Sequence, residues 1–283
     1  MSDTTDITRL ATASLADYHV HCDFSVDAEG TIEEYCAAAV KRGLVEICFT
    51  THFDANNAVG FSDNFIRVNG TEVPATIENL KPYVDTVMAA KDEWMARGLL
   101  VKLGVEYGWF ENCEEQAKEL FAAYPFEYRL CGIHTLKNKC FCSKKSFAEN
   151  MGHYAMEEFV AAYFEQAVAA ARSGLFNTIA HLGYYIRHGH GHFGDGILTE
   201  HKKHLEPLFD ALLATNTALE INTSASRHGF DHFYPMTDLV NAAKRAGVRI
   251  AHIGSDAHRP EQVGWRFDQA AALAPETQVY CEW

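Results

Sequence analysis

Six histidines and three carboxylates stand where apolar runs of this chain end. His19 and His21 close the run LADYHVH, and Asp27 follows six residues later. His52 comes just after VEICFT, Glu106 closes LLVKLGVE, His134 follows FEYRLCGI, and His181 sits in FNTIAHL. Asp256 and His258 form GSDAH. Imidazole nitrogens suit zinc, iron, nickel and copper, while carboxylates add charge and can bridge two ions. In an HxH on a strand both rings face the same side, because side chains alternate with period two, and Asp256-x-His258 repeats that spacing. Glu106, central among these strands, is placed to bridge. Two or three divalent ions (zinc, manganese or iron) in such a frame can clamp a phosphate and generate hydroxide at neutral pH. A single histidine of this kind is more often a hydrogen-bonded structural residue. Nine donors from six strands converging on one face are what point to a metal centre, with Glu106, Asp256 and His258 as the candidate catalytic residues.

The elements that must position them follow from the alternation of patterns. Short apolar runs at 15–21, 45–50, 99–106, 126–133, 176–182, 217–222 and 248–255 alternate with amphipathic stretches of helical period, such as 31–43, 76–98 and 236–247. Several of the helical stretches close on a glycine after a basic residue, at Gly43, Gly98, Gly174 and Gly247, which is a helix-stop signal. Strand then helix, repeated seven times, predicts a parallel α/β architecture. A single-domain (β/α)7 barrel over 15–283, preceded by a polar tail over 1–14, is the expected form, ahead of an open doubly wound sheet. The strand ends of such a barrel open on one face, where active sites are built. No GxGxxG follows the first strand and no GxxxxGK[ST] appears, so nucleotide folds of those kinds have no support. The Gly/Asn-rich segment 53–75 reads as an active-site loop with a small hairpin of its own.

Composition narrows the partners. The 283 residues are 48% hydrophobic and 22% charged, with a net charge of −14, which excludes a disordered chain and argues against nucleic acid or anionic membranes. The eight cysteines contain no CxxC pair and sit mostly in apolar runs, as free thiols of a reduced cytoplasmic protein would. The first residues lack the apolar core of a secretory signal, and no run is long enough to span a bilayer.

HxH, FTTH, GVEYG, CGIH, IAHLG and GSDAHRPEQVG, in this order and spacing over about residues 15–265, resemble the motifs of the polymerase and histidinol phosphatase (PHP) superfamily. The last motif and LEINTSASR are similar to its branch of monofunctional histidinol-phosphate phosphatases. The resemblance implies a (β/α)7 barrel with a trinuclear site. One ion would take His19, His21, Glu106 and Asp256. A second would take Glu106, His134 and His181, and a third Asp27, His52 and His258. It implies a phosphomonoesterase that converts L-histidinol phosphate and water to L-histidinol and phosphate by attack of a metal-bridging hydroxide. Another small phosphate ester or a nucleotide is the alternative substrate. A non-catalytic metal-binding domain or a polymerase-associated exonuclease module is a third reading. Three positions depart from the family pattern: Thr51 replaces a carboxylate before His52, Asp27 replaces a frequent histidine, and HLGYYIR after His181 lacks the usual HxD. Arg227, after the sixth strand, and Arg187, after the fifth, are the candidates for holding phosphate. Asn222 is expected to order its loop. His188, His190 and His192 are expected in a solvated loop, and Lys137, Lys139, Lys144 and Lys145 on a solvated face that can attract an anion.

Overall fold

The structure, a computed structural model, describes residues 16–56 and 64–273. The expected polar tail and Cys281 lie outside the described residues. Seven parallel strands follow one another around the molecule: β1 (Ala16–Val20), β2 (Glu46–Phe49), β6 (Leu100–Gly108), β7 (Tyr128–Gly132), β10 (Thr178–Ile179), β11 (Ala218–Asn222) and β12 (Ile250–Gly254). The two-residue strand β3 (His52–Phe53) continues the line of β2 along β6. Spatial order equals chain order, with none of the reversal that defines a doubly wound sheet. The ring closes where the end of β1 meets the segment after β12: the His21 N–H donates to the Ala257 carbonyl at 2.8 Å and the Asp256 N–H to the His19 carbonyl at 2.7 Å. The seven-stranded barrel is thus the observed fold, and each strand overlaps its expected span, the fifth being the most shortened, from 176–182 to Thr178–Ile179.

Helices cover the outside. Helix α1 (Ile32–Lys41) begins with a capping box, in which Glu34 N–H donates to Thr31 Oγ1 at 3.3 Å and Thr31 N–H to Glu34 Oε2 at 2.7 Å. Its apolar stripe of Ile32, Tyr35, Cys36 and Ala39 is buried. Helices α2 (Ile77–Met95) and α3 (Glu114–Ala123) flank β6 in sequence. After β7 come α4 (Lys144–Asn150) and α5 (Met156–Ser173), and after β10 come α6 (Ile186–Phe193), α7 (Ile197–Glu200) and α8 (Leu205–Thr215). Helices α9 (Thr237–Ala246) and α10 (Phe267–Ala270) complete the described set. Two of the expected glycine stops, Gly174 and Gly247, cap α5 and α9 in the left-handed conformation at φ 64° and 84°.

Two hairpins rise from the loop face. The expected one, β4 (Phe65–Val68) with β5 (Thr71–Pro74), turns at Asn69-Gly70 with both φ positive, the conformation that the Asn-Gly pair favours. The second joins β8 (Thr135–Leu136) to β9 (Lys139–Cys140). Inside the barrel, Tyr18, Cys48, Tyr128, Leu130 and Ala180 form a small cluster separate from the main core between strands and helices. Two register shifts change which side chains face inward. Asp17 pairs with Ile47 but Val20 with Phe49, so β1 carries one extra residue there and both Tyr18 and His19 point inside. Leu219 pairs with Ile250 but Glu220 with His252, so β12 bulges at Ala251.

Candidate metal centre

The barrel's strand ends bring all nine expected donors together. His19, at the bulge in β1, and His21, just past its end, both aim Nε2 at Glu106 Oε2, at 3.2 and 3.4 Å. His52 Nδ1 approaches the same oxygen at 3.0 Å. The other oxygen, Oε1, faces His181 Nε2 at 2.7 Å and His134 Nε2 at 3.4 Å. Asp256 lies 3.6 Å from His19, 3.3 Å from His21 and 3.5 Å from His258. Asp27, more exposed than the rest, meets His258 at 3.1 Å and His52 at 3.8 Å. Ligand atoms of His19, His21 and Asp256, of His19, Glu106 and His181, of His52, Glu106 and His134, and of His21, His52 and His258 lie within 4.8 Å of one another in each set. His181 and Asp256 adopt positive φ, 29° and 54°, a backbone conformation that few residues other than glycine tolerate.

Electrostatics favour cations here. Burial alone would raise the Glu106 carboxyl, but the imidazoles of His19, His52, His181 and His134 hold it well below the usual carboxylate range. Burial opposes a charge on His19, yet Glu220, Glu106 and Asp256 raise its pKa well above the ordinary value, and His134 is raised in the same way by Asp54 and Glu106. Burial and the neighbouring rings of His52 and His258 push His21 the other way, to a neutral imidazole ready to donate its lone pair. His21 Nε2 and His52 Nδ1 are buried without a hydrogen-bond partner among the described residues, as befits atoms whose partner is a metal ion. The nitrogen and oxygen donor set therefore fits divalent metals.

Several supporting residues were not singled out from the sequence. Glu220, mid-strand on β11, accepts from His19 Nδ1 at 3.0 Å, from the His181 N–H at 2.6 Å and from Asn222 at 2.9 Å. Its carboxyl is also held below the usual range, since His19 and His252 outweigh the effect of burial. Asp54, two residues past His52, bonds His134 Nδ1 at 3.0 Å. Thr51 leaves no carboxylate before His52, and Asp54 supplies one just beyond it, directed chiefly at His134. Carboxylates behind imidazoles fix ring tautomer and orientation. The one sequence signal for Glu220 is a charge inside the otherwise apolar run ALEIN.

A cavity of about 460 Å³ opens on the cluster. Asp27, His52, His134, His181, Asp256 and His258 line one end with Arg187 and Tyr184, and residues between Cys140 and Asn150 line much of the remainder. Arg187 donates to the Tyr184 hydroxyl at 2.7 Å. Arg227 is otherwise engaged: its guanidinium donates to the Ser255 and Asp256 carbonyls at 2.7 and 2.6 Å. Asn222 accepts from the Ser224 N–H at 2.9 Å and so orders its loop as expected. The expected loop at 188–192 is instead part of helix α6. At two-residue helical spacing its histidines diverge: His188 meets the Cys142 carbonyl at 2.9 Å, His190 meets Asp195 at 2.9 Å, and His192 packs on Phe147. Of the four lysines, Lys145 lines the cavity, while Lys137 pairs with Glu158 and lies over the Tyr154 ring.

A closed parallel barrel with imidazoles and carboxylates massed at its strand ends defines a metal-centre scaffold. The chain belongs to the PHP domain family, whose model matches residues 17–224. It is 30% identical over 260 residues to a probable histidinol-phosphatase of Deinococcus radiodurans, covering 90% of this chain and 91% of that one. In fold it is similar to a putative histidinol phosphatase of Listeria monocytogenes (TM-score 0.76, 17% identity, 90% of this chain and 99% of that one). It is also similar to the histidinol phosphate phosphatase of Lactococcus lactis, solved with zinc, L-histidinol and phosphate (TM-score 0.71, 19% identity, 94% of each chain).

Proposed function

We propose that the protein is a metal-dependent phosphomonoesterase that hydrolyses L-histidinol phosphate to L-histidinol and phosphate. The observation that carries this reading is the division of Glu106, one oxygen toward His134 and His181 and the other toward His19, His21 and His52. A carboxylate shared in this way suits two ions side by side. The names borne by the relatives, histidinol-phosphatase along nearly the whole chain, support the substrate.

Under this reading His19, His21, Glu106 and Asp256 hold one ion, Glu106, His134 and His181 a second, and Asp27, His52 and His258 a third. Zinc, manganese or iron would supply a Lewis acid and a water of lowered pKa there. The protein's own groups do the rest. Arg187, beside the cluster in the cavity wall, offers a planar fork of N–H donors to the phosphate oxygens. Its engagement with Tyr184 sets the direction of that fork. Arg227 holds the carbonyls of Ser255 and Asp256 and so fixes the turn that presents Asp256 and His258. Burial of His19, His21 and Glu106 at the inner end of the cluster strengthens the charge interactions among them.

The test is phosphate release by metal-loaded protein from L-histidinol phosphate, a set of nucleoside monophosphates and a generic aryl phosphate. The expected result is a kcat/KM for histidinol phosphate far above the others. Equal or greater turnover of a nucleotide would overturn the substrate, and no release from any of them would overturn the reaction.

A further inference from the structure

The interior of this barrel is not filled by branched aliphatic side chains alone. Below the cluster, a line of buried polar groups runs down the axis. Glu220 Oε2 meets His252 Nε2 at 3.2 Å, His252 Nδ1 meets the Tyr128 hydroxyl at 2.8 Å, and that hydroxyl meets Thr178 Oγ1. Glu220, Tyr128 and Thr178 are at most 1% exposed, and His252 is 3% exposed. The Tyr18 ring packs edge-on against Tyr128 at 4.8 Å and walls the column on one side. Such groups are costly to bury and need a reason to be there.

We propose that His252 and Tyr128 are positioning residues that aim Glu220 at the metal centre, and through it orient His19. This rests on the metal reading given above. Three observations support it. First, the buried groups form one continuous chain of hydrogen bonds that ends on Glu220. His252 bridges the Glu220 carboxylate at Nε2 and the Tyr128 hydroxyl at Nδ1, and that hydroxyl shares a hydrogen bond with Thr178 Oγ1. The other oxygen of Glu220 accepts from His19 Nδ1 and thereby leaves His19 Nε2 facing the cluster. Second, His252 faces inward because of the bulge at Ala251. In an unbroken strand it would share the face of Ile250, two residues before it. Third, the neighbouring strand leaves room for the junction. A Cβ on Gly254 would lie 2.5 Å from Glu220 Oε2 and 2.6 Å from His19 Cβ.

The experiment compares wild type, Tyr128→Phe, His252→Gln, Glu220→Gln and the double variant Tyr128→Phe/Glu220→Gln. Zinc affinity is read by competition with a chromophoric chelator, and the fold by circular dichroism. Loss of the outer partner of a ligating histidine typically weakens metal binding by about 10- to 100-fold. The expected result is a loss of that order for one ion in each single variant, a fall in kcat with KM little changed, and no further loss in the double variant over Glu220→Gln alone. A purely structural role predicts additive effects instead. Wild-type zinc affinity in folded Tyr128→Phe, or additivity in the double variant, would overturn the proposal. If His252→Gln fails to fold, Tyr128→Phe, which deletes only a hydroxyl, decides. Absence of zinc binding by wild type would overturn the metal reading and this proposal together.

Discussion

Glu106 presents its two oxygens to different imidazoles, so its charge is shared between the two sets of donors. Glu106→Gln keeps the shape and removes the charge. It should lower activity by more than about 100-fold and release at least one metal ion, as seen by elemental analysis, because a direct donor contributes more than the outer partners do. Normal metal content with normal turnover would contradict the role. The two arginines separate by the atoms they touch. Arg187 lines the cavity without a carboxylate partner among the described residues, so Arg187→Ala should lower kcat/KM by about 10- to 150-fold, the equivalent of one charged hydrogen bond, and leave the metals in place. Arg227 grips the turn of Asp256, so Arg227→Ala should lose metal as well as activity. Steady-state kinetics paired with metal analysis of both variants distinguishes these outcomes.

At the scale of elements, close approach is the governing constraint. A Cβ on Gly132, the last residue of β7, would stand 2.5 Å from His134 Cε1 and 2.6 Å from Glu106 Oε1. Gly132→Ala should therefore displace both groups and cost activity and metal while the barrel still folds. Thr31→Ala removes the cap of α1, remote from the chemistry, and should cost about 1 kcal/mol of stability with kinetics unchanged. Thermal unfolding and phosphate-release assays on this pair report opposite signatures. The strands and their ligands were legible in the sequence because both signals are local: an apolar run, and a donor at its end. Glu220 and Asp54 were not, because each acts on a histidine distant in the chain, His19 at a separation of 201 residues and His134 at 80. The bulges were hidden for a related reason, since register is a property of two strands and not of one. The histidines of α6 looked like loop residues because Gly189 and Gly191 weaken a helical pattern that packing nevertheless sustains. Arg227 is a phosphate candidate by its place after the sixth strand, but the carbonyls that claim it lie in another strand's loop.

For the whole molecule, the metal centre joins six strands, so occupying it should stabilise the barrel as a unit. A ligand present at 100 times its Kd adds about 2.7 kcal/mol to a state that alone binds it, which for a chain of this size is a shift of roughly 5 °C in Tm. Chelation should abolish hydrolysis and lower Tm by about that amount, and zinc or manganese should restore both. Full activity of metal-free protein would contradict this. The net charge of −14 is borne by a surface that must still admit a phosphate ester under the reading proposed above, and Arg187 and Lys145 on the cavity wall, together with the proposed ions, would offset the four carboxylates that line it.

The cavity wall has a lopsided ancestry in the chain. Its reacting end is assembled from strand ends scattered between Asp27 and His258, and altering any of them disturbs the others. Seven of its remaining lining residues, from Cys140 to Asn150, fall in a single stretch containing the end of one hairpin and the short helix α4. This wall of the pocket is thus one exchangeable cassette, anchored by the Asn150 amide on the Cys140 carbonyl at 2.8 Å. A transplant of that one segment between relatives could carry a new choice of alcohol into the enzyme and leave its hydrolytic apparatus untouched.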